Sequence, residues 1–342
     1  MLDKDRLAAI ADLISEHISI RGVEEYCAKT GITGDDFAPL SPQNFDGEIF
    51  AVDGSNVFVC DWSVANLNLI RAGYAVYKGR DWQRTVITYD DVFMADRKSY
   101  AQQFESYLEG IFYIHDFILK NEELDRLSTY FRELQEYIAL KEAIDEARPA
   151  DLVLYDGGFT WKERPLGKVL ENIFLAAEEK DVDLLGISKS SSLSWGEEIQ
   201  KPLMQHTSYA GSMLAPGLPW YVRLKGKNVD SGPDGWDGEI YVARFDGRSD
   251  LAFRVDAPHY LADRVGSALE KLAAYSCSSE CMGYPHALFR AHRDIRITEQ
   301  EVDFLRLQLL DLMGEKGSRE SQVRGALLDY HDVIEMRPGS VL

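Results

Sequence analysis

Apolar residues Leu7, Ile10, Leu13, Ile14 and Ile18 recur at helical spacing, which predicts a helix over 3–19. The stretch TGITGDDFAPLSPQNFDG that follows is rich in Gly, Asp, Pro and Ser and reads as a loop, leaving that helix an appendage. Segments 48–53, 57–62, 67–78 and 84–89 are short, β-rich and separated by Gly, Ser, Asn or charged residues. They predict one strand followed by an antiparallel meander. Two long helical stretches come next, 97–119 and 122–147. DLVLYD (151–156) and VDLLGIS (182–188) are nearly continuous apolar runs, as strands covered on both faces require, with a helical pattern at 165–180 between them. From about residue 195 the periodicity loosens. Strands at 219–225 and 239–245 flank the turn-rich KNVDSGPDGWDGE, and helical patterns return at 258–275, 285–293 and 299–313. The order strand, meander, helices, strand, helix, strand predicts a mixed α/β fold.

Composition narrows the class. With 342 residues, 45% of them hydrophobic, the chain can build a large core. No run approaches the roughly 18 uninterrupted apolar residues of a membrane helix. The first residues carry acids where a secretory leader needs a basic region, so a cytoplasmic protein with no membrane partner is expected. Taken alone, the formal net charge of −20 argues against sequence-independent wrapping of nucleic acid, which needs lysines and arginines along phosphates. It leaves open an enzyme that admits a strand through a locally basic channel. Of the four cysteines, Cys277 and Cys281 (CSSEC) lie one helical turn apart but lack a second Cys/His pair at zinc spacing, and read as buried thiols.

Two segments end alike. GEIFAVDGSNVFV and DLVLYDGGFT each place an aspartate, Asp53 and Asp156, after an apolar run and before glycine. Carboxylates at the ends of two adjacent strands can share divalent cations, and such cations usually act on phosphates. Asp-Gly alone more often marks a turn; it is the apolar lead-in to both that points to metal.

AVDGS, a long glutamate-bearing helix, LVLYDGG, GISKS and GYPHALFRAH occur in that order over residues 48–297, and the ordered set resembles the NurA nuclease family. The resemblance implies an RNase H-like (PIWI-like) mixed sheet flanked by helices, with helical additions. It implies a homodimer that digests DNA with Mn²⁺, or Mg²⁺, typically 5′ to 3′, beside a HerA-type hexameric translocase ATPase. It divides the chain into an N-terminal helical appendage (1–45), a nuclease domain (46–315) and a C-terminal tail (316–342). Asp53 and Asp156 map onto the family's two strand-end aspartates. A helix glutamate about twenty residues before the second aspartate corresponds to Glu136, with Glu133 one turn earlier on the same face.

The remaining site residues follow from both residue chemistry and resemblance. Lys189, just past a buried strand in GISKS, can meet a scissile phosphate, with Ser188, Ser190 and Ser191 adding hydrogen bonds. Pro285 can open a helix, which brings His292 two turns later near the face of Tyr284. A neutral imidazole among carboxylates makes a mixed N/O set that suits Mn²⁺ over Mg²⁺. Tyr284 can stack on a base or bind a phosphate, and Arg290, Arg293 and Arg296 form a cationic strip for the strand. The expected metal set is Asp53, Glu136, Asp156 and His292; Lys189, Tyr284, Arg290 and Arg293 are the expected DNA contacts. His115-Asp116 and His206 have no partner spacing and read as structural, and Trp195, Trp220 and Trp236 as core or interface residues. Two other readings compete: a non-catalytic adaptor of this fold serving a translocase, and a nuclease of anti-phage defence. The chain carries no G-x-x-x-x-G-K-[ST] loop, so any ATPase comes from a partner.

Overall fold

The computed structural model describes residues 3–18, 22–61, 65–96, 98–115, 124–161, 164–196, 200–230, 235–236 and 238–316. Asp116, the side chain of Trp236 and the tail beyond residue 316 lie outside the described residues. Helix α1 (Lys4–Ile18) forms where the periodicity puts it. Its apolar stripe, Leu7, Ile10, Leu13 and Ile14, is exposed. The loop expected next contains a second helix, α2 (Val23–Thr30), which ends on Gly31 in the left-handed conformation. Tyr26, Ile32 and Phe37 are buried against Trp195 and Trp220, so the first forty residues are in part integral to the core. The Tyr26 hydroxyl meets Thr207 Oγ1 at 2.6 Å.

The two segments expected at 48–53 and 57–62 are a single strand, β1 (Glu48–Asp61), and β2 (Ala65–Lys78) and β3 (Asp81–Asp96) complete the meander. Gly54 therefore does not end the strand; Asp53 pairs with Gly73 and Gly54 with Ala72 in one continuous antiparallel ladder. Helices α3 (Tyr100–Phe112) and α4 (Leu124–Glu146) follow. The parallel strands β4 (Leu152–Tyr155) and β5 (Asp183–Ser188) are joined by α5 (Arg164–Glu179). The second half departs further from the sequence pattern. An unexpected helix, α6 (Leu203–Leu214), precedes β6 (Trp220–Arg223) and β7 (Glu239–Arg244). The expected helix at 258–275 begins late. Strand β8 (Phe253–Ala257) runs almost up to it, and α7 is only Val265–Ala274. Helices α8 (His286–Ile295) and α9 (Glu299–Glu315) close the described chain.

One nine-stranded mixed sheet results, in the order Ala38–Pro39, β6, β7, β8, β5, β4, β1, β2, β3. The first strand of the meander lies parallel to the strand after the helices, β1 beside β4, as an RNase H-like core requires. Successive residues of a strand point to opposite faces, and the core divides accordingly. Phe50, Val52, Val153 and Tyr155 pack with α4 and α5, where Phe93 and Phe131 stack at 4.3 Å. Ile49, Ala51, Leu152 and Leu154 pack instead with α7 and α8, against Leu269, Leu288 and Ala291. This division decides which face each acidic residue meets.

Candidate active site

Asp53 continues the series Ile49, Ala51, and Asp156 continues Leu152, Leu154, so both carboxylates emerge on the face covered by α8. Register brings them together: Val52 lies opposite Tyr155 across the parallel pair, and the Asp156 N–H donates to the Val52 carbonyl at 3.0 Å. The structure thus refines the expectation of two strand ends. β4 ends at Tyr155, just before Asp156, whereas Asp53 sits in mid-strand where its parallel neighbour stops.

Helix α8 supplies the third group. His292 Nδ1 lies 2.9 Å from Asp53 Oδ2. One ligand atom each from Asp53, Asp156 and His292 lie within 4.8 Å of one another. Two anionic oxygens and an imidazole nitrogen at that spacing fit a divalent cation. The electrostatics agree. Burial, reinforced by the Asp156 charge, pushes the Asp53 carboxyl up to about 7. Burial and then the Lys189 ammonium hold His292 below its usual range, so its imidazole is neutral at pH 7 and available as a ligand. Near neutral pH a cation must displace the proton that Asp53 retains. Adding Mn²⁺ is therefore expected to raise the melting temperature, and to raise it more at pH 8 than at pH 6. Scanning fluorimetry at the two pH values tests this; equal shifts would contradict the proton competition.

Asp156 is oriented from two sides. Lys189 Nζ lies 2.6 Å from its Oδ2, and the Tyr284 hydroxyl donates to its Oδ1 at 3.0 Å. The Lys189 ammonium also lies 5.1 Å from the centre of the Tyr284 ring. Lys189 is part exposed, at 44%, and lines an open cavity together with Asp156. Tyr284 is buried beside Phe253, so its ring is not presented to a base, contrary to the stacking role expected for it. Burial and the Asp156 carboxylate hold its phenol well above the usual range, and it stays a hydrogen-bond donor.

Glu136 reaches the same neighbourhood from the other side, and the charges of Asp53 and Asp156 both act on its carboxyl. It is fully buried, but it approaches from the α4 side of the sheet, through space that exists because residue 54 is glycine. A Cβ at Gly54 would lie 2.4 Å from Glu136 Oε1. Its carboxyl lies outside the group of Asp53, Asp156 and His292, whose ligand atoms all fall within 4.8 Å of one another. Arg132 pairs with its Oε1, and the Tyr155 hydroxyl donates to its Oε2 at 3.0 Å. Burial pushes its carboxyl up to about 7, against the pull of Arg132. Glu133 is further from a ligand role, since its Oε1 accepts from the Tyr137 hydroxyl at 2.8 Å.

The cationic strip divides. Arg296 lies near enough to His292 to depress its protonation. Arg290 instead donates to Asp294 at 2.6 Å and lies over the Trp82 ring at 4.6 Å, and with Arg293 it lines a separate cavity. Cys277 and Cys281 are half-buried at that cavity rather than enclosed in the core. His206 is buried and accepts from the Trp195 indole N–H at 2.8 Å, a structural role; His115 is exposed beside Glu109.

Sequence reasoning missed Arg254 and Asp256 on β8. They form a buried bidentate pair at 2.6 and 2.8 Å, and Asp256 Oδ2 also accepts from the Phe159 N–H at 2.8 Å. A Cβ at Gly158 would lie 2.9 Å from that same oxygen, so glycine lets the loop after Asp156 settle on the pair. The only sequence signal was two charges in an otherwise apolar stretch.

The family model described as NurA domain matches residues 47–297. No curated protein matches the chain in sequence. Among solved structures, the chain is similar to the NurA nuclease from Sulfolobus solfataricus at 15% identity, with 98% of this chain and 96% of that chain covered and a TM-score of 0.51. It also matches human endonuclease V at 14% identity, covering 76% of this chain and 91% of that one, with a TM-score of 0.36.

Proposed function

The chain belongs to the NurA domain family, and from that membership and the site geometry we propose that it is a divalent-metal-dependent DNA nuclease that hydrolyses phosphodiester bonds. The observation that carries the reading is the convergence of Asp53, Asp156 and His292 within 4.8 Å. These three residues hold the cation. When bound, a divalent ion there polarises the phosphate and lowers the pKa of an attacking water.

The chain's own groups do the rest. Tyr284 and Lys189 fix the plane of the Asp156 carboxylate. The Lys189 ammonium reaches a phosphate placed over Asp156 and offsets the negative charge that develops on its oxygens. Glu136, held by Arg132 and Tyr155 behind β1, is the fourth group of the site, setting the field at Asp53 and completing the ligand set when the cation is bound. Arg290 and Arg293 meet the strand beyond the site. Lys189→Met is expected to lower kcat by about 10²–10³-fold while leaving the Mn²⁺-induced rise in melting temperature in place. Loss of that rise together with activity would make Lys189 a determinant of metal binding instead.

The family supplies the finer reading: Mn²⁺ as the working ion with Mg²⁺ as substitute, 5′–3′ exonuclease action with single-strand endonuclease activity, and a homodimer. It also supplies a HerA-type hexameric translocase partner in DNA end processing or repair in the cytoplasm. No described helix is long and apolar enough to cross a membrane. Incubating 5′- and 3′-labelled DNA with the protein under Mn²⁺, Mg²⁺ and EDTA, with Asp156→Ala as control, tests activity, ion and polarity together. Metal-dependent cleavage that persists in the Asp156→Ala protein sinks the proposal.

A further inference from the structure

Along α8, beside His286, Phe289, Arg290 and Arg293, lies a cavity of about 570 Å³ that His292 does not line. Arg80, Arg290 and Arg293 line it, against a single carboxylate, Glu280. Arg290 is already committed to Asp294 and Trp82. Arg80 and Arg293 have no ion-pair partner among the described residues, and the Arg80 guanidinium donates to Cys277 Sγ at 3.3 Å. In a chain of net charge −20, two unpaired guanidinium groups facing one cavity are a site in want of an anion.

A neutral group points the same way. His286, at the start of α8, turns Nδ1 to the Tyr275 carbonyl, which fixes its proton there. Its Nε2 is buried with no hydrogen-bond partner. A buried polar nitrogen left unpaired costs about 1–3 kcal/mol, a cost relieved by a ligand that bonds it. A terminal phosphate does so, since its monoprotonated form donates to that lone pair; an internal phosphodiester carries no such proton and meets the arginines alone. Position selects among phosphates. His286 and His292 are six residues apart on one helix, about 9 Å along its axis. Arg80 lies past Lys78, and Lys78 is five strand residues, about 17 Å, from the Gly73 position beside Asp53; at roughly 3.4 Å of rise per nucleotide in duplex DNA, the cavity lies about five nucleotides from the metal site.

We propose that this cavity holds a phosphate of the substrate strand about five nucleotides from the scissile bond, with Arg80 and Arg293 pairing its oxygens and His286 completing the seat when that phosphate is terminal. The assignment rests on the nuclease reading above. It makes the cavity the element that sets how far from the cut the strand is gripped.

Binding separates this proposal from the catalytic one. In an Asp156→Asn background, a fluorescent single-stranded oligonucleotide is titrated by anisotropy against the full chain with and without Arg80→Gln/Arg293→Gln. Both arginines are on the surface, and an unchanged melting temperature verifies the fold. The expected result is a Kd weakened about tenfold or more, with the slope of log K against log salt shallower by about 0.7, the share of one single-strand phosphate. With Asp156 restored, KM rises and kcat is kept. A 5′-phosphorylated oligonucleotide that binds more tightly than its 5′-hydroxyl counterpart, with the difference lost in the variant, assigns the seat to a terminal phosphate; equal affinity assigns it to an internal one. As a readout independent of substitution at the arginines, bound DNA should slow alkylation of Cys277 in a Cys281→Ser protein. An unchanged Kd and salt slope, or Cys277 labelling indifferent to DNA, overturns the cavity assignment while leaving the nuclease intact. Failure of the nuclease reading shows separately, as absent metal-dependent cleavage by the unmodified chain.

Discussion

Asp53→Asn is expected to abolish metal-dependent DNA cleavage, by about 10³-fold or more, and at the same time to make the metal-free protein more stable at pH 8. Both effects follow from one position. Asp53 is buried beside Asp156 on the same face of adjacent strands, and its carboxyl is raised to about 7. An unfolded chain releases that proton near pH 4. Between about 4 and 7 the native state therefore holds a proton that the unfolded state has lost, and stability falls as pH rises through that window. Above it the whole penalty is present, on the order of a few kcal/mol. Asparagine keeps the shape and removes the charge. Thermal melts of both proteins from pH 4 to 9, with and without Mn²⁺, check the sign. The Asn protein should show a flatter metal-free profile and no Mn²⁺-induced rise. A variant less stable than the parent at pH 8 would mean that the Asp53 charge is already compensated in the fold. The expected pattern is the ordinary exchange of stability for function at a site built to receive a cation.

Asp256→Ala should produce the largest loss of stability, about 3–5 kcal/mol. It strips the buried Arg254 guanidinium of a bidentate partner and leaves the Phe159 N–H without its acceptor. For a domain of this size each kcal/mol lowers the melting temperature by roughly 2–4 °C, so a drop on the order of ten degrees is expected. Activity should fall too, because Phe159 anchors the loop that leaves Asp156. Replacing both partners, Arg254→Met with Asp256→Leu, restores packing without charge and should recover most of the stability. It cannot recover the hydrogen bond to Phe159, so the doubly substituted protein is expected to stay less active than the parent. Equal loss of stability in both variants would show that volume, not charge pairing, governs this part of the core.

Glu136 shows what a motif leaves undetermined. Its distance in sequence from Asp156 and its place on a long helix were legible, as was its neighbourhood. Which face of β1 it addresses was not, because that depends on how α4 lies across the sheet. The same holds for Tyr284, whose expected role on a base gives way to a hydrogen bond that orients Asp156. In both cases the residue was found and its partner was not.

The sequence by itself determined the sheet-forming runs around Asp53, Asp156 and Lys189, since buried parallel strands must be continuous in apolar residues. It also determined that each aspartate shares a face with the apolar residues before it, through the alternation of Ile49, Ala51, Asp53 and of Leu152, Leu154, Asp156. Composition indicated that an anionic substrate would need local, not global, positive charge. Tertiary structure alone decided that β1 runs on past Gly54, that His292 closes the ligand group, and that the Arg254–Asp256 pair holds the loop after β4. It also decided that the apolar stripe of α1 stays exposed. The physical reason is common to all of these. Periodicity records which side of an element is apolar, a local property. Which element covers that side, and which buried charge finds a countercharge, depends on contacts between residues as far apart as Asp53 and His292.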